Sequence, residues 1–113
     1  MAKLYFKYGA MGSSKTAQAL ITKYNYEEND MKVWLIKPSA DTRDGEQILR
    51  SRIGLEAKVE VMSPETDIAR RFEEKLHEHY DAVIVDECQF LTEKQIDELR
   101  SIVNEHGVPV MCF

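Results

Sequence analysis

Ala82-Val83-Ile84-Val85 is an unbroken run of four aliphatic residues. A strand with one wet face alternates apolar and polar side chains, so a continuous run reads as a strand covered on both faces, the habit of parallel sheets. Lys32-Val33-Trp34-Leu35-Ile36-Lys37 repeats the pattern, and Pro38 stops it. Two such strands need helices above and below them. After Thr16, Ala17, Leu20, Ile21 and Tyr24 fall at i, i+3, i+4 and i+7, which predicts a helix ending near Asn29-Asp30 with those four turned inward. Ser63-Pro64 reads as a second helix start, and Ile68, Phe72, Leu76 and Tyr80 repeat every four residues after it. Thr92-Glu93-Lys94-Gln95 fits a capping box for a third helix, from about Glu93 to Asn104, with Ile96, Leu99 and Val103 inward and Gly107 closing it. Leu4 to Tyr8, Val59 to Met62 and the segment from Val108 complete the strands. Between Ser39 and Lys58 the periodicity fades: Asp41-Thr42-Arg43-Asp44-Gly45 reads as a turn-rich loop, and Glu46 to Leu55 as a short helix or irregular flap, expected to be mobile.

Strand, helix and strand in alternation imply right-handed crossovers and ligand binding beyond the carboxyl ends of the strands. Two chemical motifs fall there. Gly9-Ala10-Met11-Gly12-Ser13-Ser14-Lys15-Thr16 lies between a strand and a helix, as a phosphate-binding loop does. Convergent backbone N–H groups there hold the phosphates of a nucleoside triphosphate, with Lys15 as the cation and the Thr16 hydroxyl left for Mg²⁺. The plainer reading of the loop alone is a Gly/Ser-rich turn. Ser14 stands where the pattern has glycine, and a side chain forced into left-handed backbone costs about 1–2 kcal/mol, about tenfold in affinity. The second motif is Asp86-Glu87 at the end of the aliphatic run. Asp86 is the expected partner of Thr16 in the Mg²⁺ shell, and Glu87 the expected general base for an attacking hydroxyl. Alone, an acidic pair after a strand is as readily a solvated turn; at the same sheet edge as the loop it becomes a site. The fold class expected is therefore α/β, phosphate-loop NTPase-like, with a mostly parallel sheet and helices on both faces, in one domain over residues 1–113.

Charge and composition narrow the function. A net charge of -5 argues against a nucleic acid held directly by its phosphates. No stretch is long and apolar enough for a membrane helix, and there is no apolar N-terminal segment. With two cysteines, Cys88 and Cys112, in no disulfide-rich pattern, the expected setting is the cytoplasm.

Leu4-Tyr5-Phe6 through Gly9-Ala10-Met11, Lys15-Thr16, Asn25-Tyr26-Glu27-Glu28, Lys37-Pro38, Asp41-Thr42-Arg43, Ser51-Arg52-Ile53-Gly54, Val85-Asp86-Glu87-Cys88-Gln89-Phe90-Leu91-Thr92 and Val108-Pro109-Val110 resemble successive blocks of the thymidine kinase family of bacteria and animal cytosol. The resemblance covers essentially the whole chain. It implies Mg²⁺-dependent transfer of the γ-phosphate of ATP to the 5′-hydroxyl of thymidine or deoxyuridine, in a homotetramer. It also implies that Gly9 to Thr16 hold the triphosphate with Met11 toward the nucleoside. Asp86, Glu87, Cys88 and Gln89 end the central strand at the nucleotide, Glu87 as proton acceptor. Arg43 belongs near the transferring phosphoryl group, and Asp41 near metal and hydroxyl.

The family's chains continue past Val108-Pro109-Val110 into a zinc site with four ligands, usually cysteines, and a lasso loop that grips the base. With Cys88 and Cys112 alone no such zinc site forms, so the expectation is the ATP-binding part of such an enzyme, inactive on thymidine by itself. Two other readings stand beside this one: a nucleotide-driven motor, since Asp-Glu-Cys-Gln also resembles the acid motif of one helicase superfamily, and a nucleotide-binding domain without catalysis. Cys88 is expected to be a packed thiol, because no histidine is placed beside it. His77, His79 and His106 are expected at the surface and Trp34 in the core.

Overall fold

The computed structural model describes residues 3–7, 13–39 and 45–113, with the side chains of Ser13 and Ser14 excepted. Its elements are β1 (Leu4–Phe6), α1 (Ser13–Glu28), β2 (Val33–Pro38), β3 (Gly45–Arg50), β4 (Glu56–Met62), α2 (Ile68–Glu73), β5 (Ala82–Val85), α3 (Glu93–His106) and β6 (Val110–Cys112). Single 3₁₀ turns lie at Leu76–Glu78 and Cys88–Phe90. The strands form one sheet in the order β1-β6-β5-β2-β4-β3. All pairings are parallel except that of β3 with β4.

The two aliphatic runs are β2 and β5, side by side in the middle, with Val33 opposite Ala82 and Ile36 opposite Val85. Successive residues of a strand face opposite sides, so these strands feed two cores. Trp34, Ile36, Val83 and Val85 pack with Ile68, Phe72, Leu99, Ile102 and Val103 under α2 and α3. Val33, Leu35, Ala82 and Ile84 pack with Ala19 and Leu20 of α1. The α/β expectation, mostly parallel with helices on both faces, holds. Trp34 is in the core as expected, 3% exposed, its ring 5.9 Å from that of Phe72 and 6.1 Å from that of Tyr80.

α3 starts and stops as its sequence dictates. Thr92 Oγ1 accepts the Gln95 N–H at 3.1 Å, and Gln95 Oε1 accepts the Thr92 N–H at 3.1 Å. Gly107 takes the left-handed conformation at φ 65° and donates to Val103 O. α1 also ends where expected, at Glu28, but its inward stripe differs. Ala19 and Leu20 are fully buried, with Tyr26 partly so, whereas Ile21 and Tyr24 are 45% and 40% exposed. The inward stripe includes the stem of Lys23, a residue that polarity scales put outside.

Two expectations fail. Glu46 to Leu55 is neither helix nor flap: β3 pairs antiparallel with β4 from Gly45 opposite Val61 to Arg50 opposite Glu56. Its turn is closed by Ser51 N–H to Leu55 O at 2.8 Å and Leu55 N–H to Ser51 Oγ at 3.1 Å. As an edge strand exposed on both sides, with Leu49 alone buried, β3 carries no alternation to read. The second helix is six residues rather than a run to Tyr80. Asp67 caps it, Oδ1 accepting the Arg70 N–H at 3.0 Å. The segment before it is held as a turn, since Gln95 Nε2 donates to Ser63 O at 2.9 Å and Thr66 O at 3.1 Å. Leu76 sits in a 3₁₀ turn, 46% exposed, and His79 ends that turn at φ 57°. Phe72 and Tyr80 thus reach Trp34 from different elements, and their spacing of eight is not a helical stripe.

Candidate functional site

The carboxyl ends of the central strands bring the two motifs together. Thr16, in the first turns of α1, donates from Oγ1 to Asp86 Oδ2 at 3.0 Å, across seventy positions of sequence. Asp86 is 2% exposed, and its backbone N–H is donated to Ile36 O at 3.0 Å. Burial pushes the Asp86 carboxyl up, the Thr16 hydroxyl bond opposes that, and the neighbouring Glu87 charge adds to it. A desolvated carboxylate bonded to a hydroxyl is a pair of hard oxygen donors, the donor set Mg²⁺ takes. A divalent cation there would offset the cost of burying the charge, so these residues fit that ion.

Glu87 differs from its neighbour in every respect. It is exposed, and its backbone is left-handed at φ 56°, ψ 42°. A non-glycine residue in that region costs about 1–2 kcal/mol, and such strain gathers at working sites. Glu87 Oε2 lies 4.0 Å from Lys37 Nζ. Gln89 and Phe90 follow it on the surface, Phe90 68% exposed.

Cys88, half-buried, and Cys112, fully buried, are both free thiols linked by a hydrogen bond. Cys112 is held protonated by that bond and by burial; Cys88 is drawn down by the same bond, with help from the Lys15 charge. Its partner is a second thiol rather than a base, as a packed cysteine requires. Cys88 N–H donates to Phe113 O at 3.2 Å, which pins the acidic turn to the end of β6.

Lys15 lies in α1, half-buried. Ser13 and Ser14 open that helix, so the backbone at Ser14 is helical and the left-handed cost expected there does not arise. Gly9, Ala10, Met11 and Gly12 lie outside the described residues, as do Asp41 and Arg43. Lys37, the charge that follows the four apolar residues of β2, is brought beside the acidic pair only by the pairing of β2 with β5. His106, expected at the surface, is partly covered instead, its ring 5.2 Å from that of Phe72. Among the described residues no helix is long and apolar enough to cross a membrane.

Residues 2–113 match the family model described as thymidine kinase. Over all 113 residues the chain is 42% identical to a thymidine kinase of Enterococcus faecalis, covering 58% of that protein. It is also 42% identical to one of Streptococcus pyogenes serotype M3 and 39% identical to one of Streptococcus agalactiae serotype Ia, each covered to 59%. The chain therefore spans somewhat under three fifths of the length of these curated relatives.

Proposed function

Given that the chain belongs to the thymidine kinase family, we propose that the protein transfers the γ-phosphate of ATP to the 5′-hydroxyl of thymidine or deoxyuridine. The observation that carries this is the hydrogen bond from Thr16 to the buried Asp86, with Glu87 held out beside it in a strained backbone. Residues 1–113 are the nucleotide-binding part, and the remaining length seen in the relatives supplies the grip on the base.

Each role follows from chemistry at the sheet edge. Gly9, Ala10, Met11, Gly12, Ser13, Ser14, Lys15 and Thr16 bind the triphosphate through the loop and the start of α1. Asp86 and Thr16 would hold Mg²⁺, which would supply charge screening for the phosphates. Cys88 and Gln89 complete the turn at the nucleotide. Glu87, solvent-facing, accepts the proton of the 5′-hydroxyl as its oxygen bonds to the γ-phosphorus and the bond to the β-phosphate oxygen breaks, leaving ADP. Arg43 stabilises the charge on the transferring group. Phe90 offers a bare aromatic face three positions after Glu87. The family reading further gives a cytoplasmic enzyme that assembles as a tetramer and needs no nucleic acid or membrane partner.

The test is the full-length protein with thymidine and Mg-ATP, followed by Glu87→Gln. The expected result is thymidine monophosphate and ADP in equal amounts. The variant should lose about 10²–10⁴-fold in kcat while its Mg-ATP Kd stays within about threefold. ATP hydrolysis without nucleoside phosphorylation, stimulated by DNA, would sink the kinase reading in favour of a motor.

A further inference from the structure

We propose that Lys37 is a positioning residue for phosphoryl transfer, its ammonium holding the Glu87 carboxylate in place to take the acceptor's proton. The inference rests on the reading of Glu87 as proton acceptor. Val33 and Leu35 of β2 face α1, so by alternation Lys37 rises on that same side, where Lys15 and Thr16 begin the helix. In register, Ile36 is opposite Val85, so Lys37 stands beside Asp86, one step past the end of β5. Its Nζ is 4.0 Å from Glu87 Oε2, and its side chain is 26% exposed against 47% for Glu87.

Two consecutive carboxylates at one strand end repel each other, and one of them is buried. Lys37 faces both: it pairs with Glu87, and its charge opposes the upward push that burial gives Asp86. An ion pair this open contributes between nothing and about 1 kcal/mol to folding, so stability is a poor reason for it. The Glu87 backbone is set by its left-handed turn, while its side chain is 47% exposed, and an exposed side chain keeps its rotamer freedom unless a neighbour holds it. A cation anchored in a rigid central strand limits that freedom. Holding a reacting group in one geometry is a rate effect and leaves ground-state binding alone.

The experiment uses the full-length protein with Lys37→Met, Lys37→Arg, Glu87→Gln and the Lys37→Met/Glu87→Gln pair. Lys37→Met should lower kcat on the order of 10–100-fold, with thymidine KM and Mg-ATP Kd within about threefold; retained nucleotide binding also shows that the variant is folded. Lys37→Arg should recover turnover to within about fivefold, because charge and reach survive. On the Glu87→Gln background, Lys37→Met should change kcat by less than about twofold, since a residue acting through Glu87 has nothing left to act on. Full turnover by Lys37→Met, losses that multiply in the double variant, or a fall in Mg-ATP affinity with kcat unchanged would each overturn the positioning role. Full turnover by Glu87→Gln is a separate failure: it removes the proton-acceptor reading itself, and this proposal with it.

Discussion

On one side of the sheet α2 and α3 set Ile68, Phe72, Leu99 and Ile102 onto Trp34, Ile36, Val83 and Val85, all within 3% of complete burial. On the other side the sixteen-residue α1 fully buries Ala19 and Leu20 among its described side chains, and leaves Ile21 and Tyr24 largely bare. The covered side is also tied by polar groups: Gln95 takes two carbonyls of the Ser63 to Thr66 turn, and Glu98 Oε1 accepts the Ile68 N–H at 2.8 Å. The contrast separates two jobs. Lys15, Thr16 and Lys37, which act on the acidic turn among the described residues, belong to the α1 side. The opposite side, whose helices carry none of the candidate site residues, has the more deeply packed helices, while the sheet residues are buried on both faces, Leu35 at 3% and Ala82 and Ile84 at 0%.

That division can be broken by substitution. Leu99→Ala, opening a cavity under α3, should lower unfolding free energy by about 2–5 kcal/mol in denaturant titrations; a loss below about 1 kcal/mol would mean that α3 is not deeply packed. Gln95→Ala removes the Nε2 bonds to the Ser63 and Thr66 carbonyls and the side-chain half of the capping box, for about 1–3 kcal/mol. Glu98→Gln sharpens the picture through pH. Burial raises the Glu98 carboxyl above its ordinary value of 4.5, so the folded state holds that proton more tightly, and the resulting stability is lost as pH rises through the raised value. The Gln variant keeps an acceptor for Ile68 and never ionises. Its stability relative to the parent should therefore grow upward from pH 4.5 and then level, by less than the Gln95 loss; a flat difference would contradict burial as the cause. Ile21→Ser on the α1 side should change stability by under about 0.5 kcal/mol, measured the same way.

The sequence announced the middle of the molecule better than its margins. β2 and β5 were legible because burial on both faces leaves an unbroken apolar run, and α3 because its cap is written in Thr92, Gln95 and Gly107. β3 was not legible, since an edge strand with two wet faces has nothing periodic to show. The short α2 was misread because Leu76 and Tyr80 happen to continue its spacing, while the true limits come from Gln95, thirty positions away, and from the backbone turn at His79. At the site, the meeting of Thr16 with Asp86 followed from topology alone: both sit where parallel strands end. The left-handed backbone of Glu87 could not be foreseen, because that conformation is imposed by the surrounding bonds and not by glutamate itself.

That one residue sets evolution's two demands against each other. Glycine at position 87 would release the φ 56° backbone from its steric penalty, and a library ranked by heat resistance would drift toward it. The same drift would discard the carboxylate. Campaigns to harden this scaffold should hold position 87 fixed and look for gains under α3 instead, where no such conflict exists.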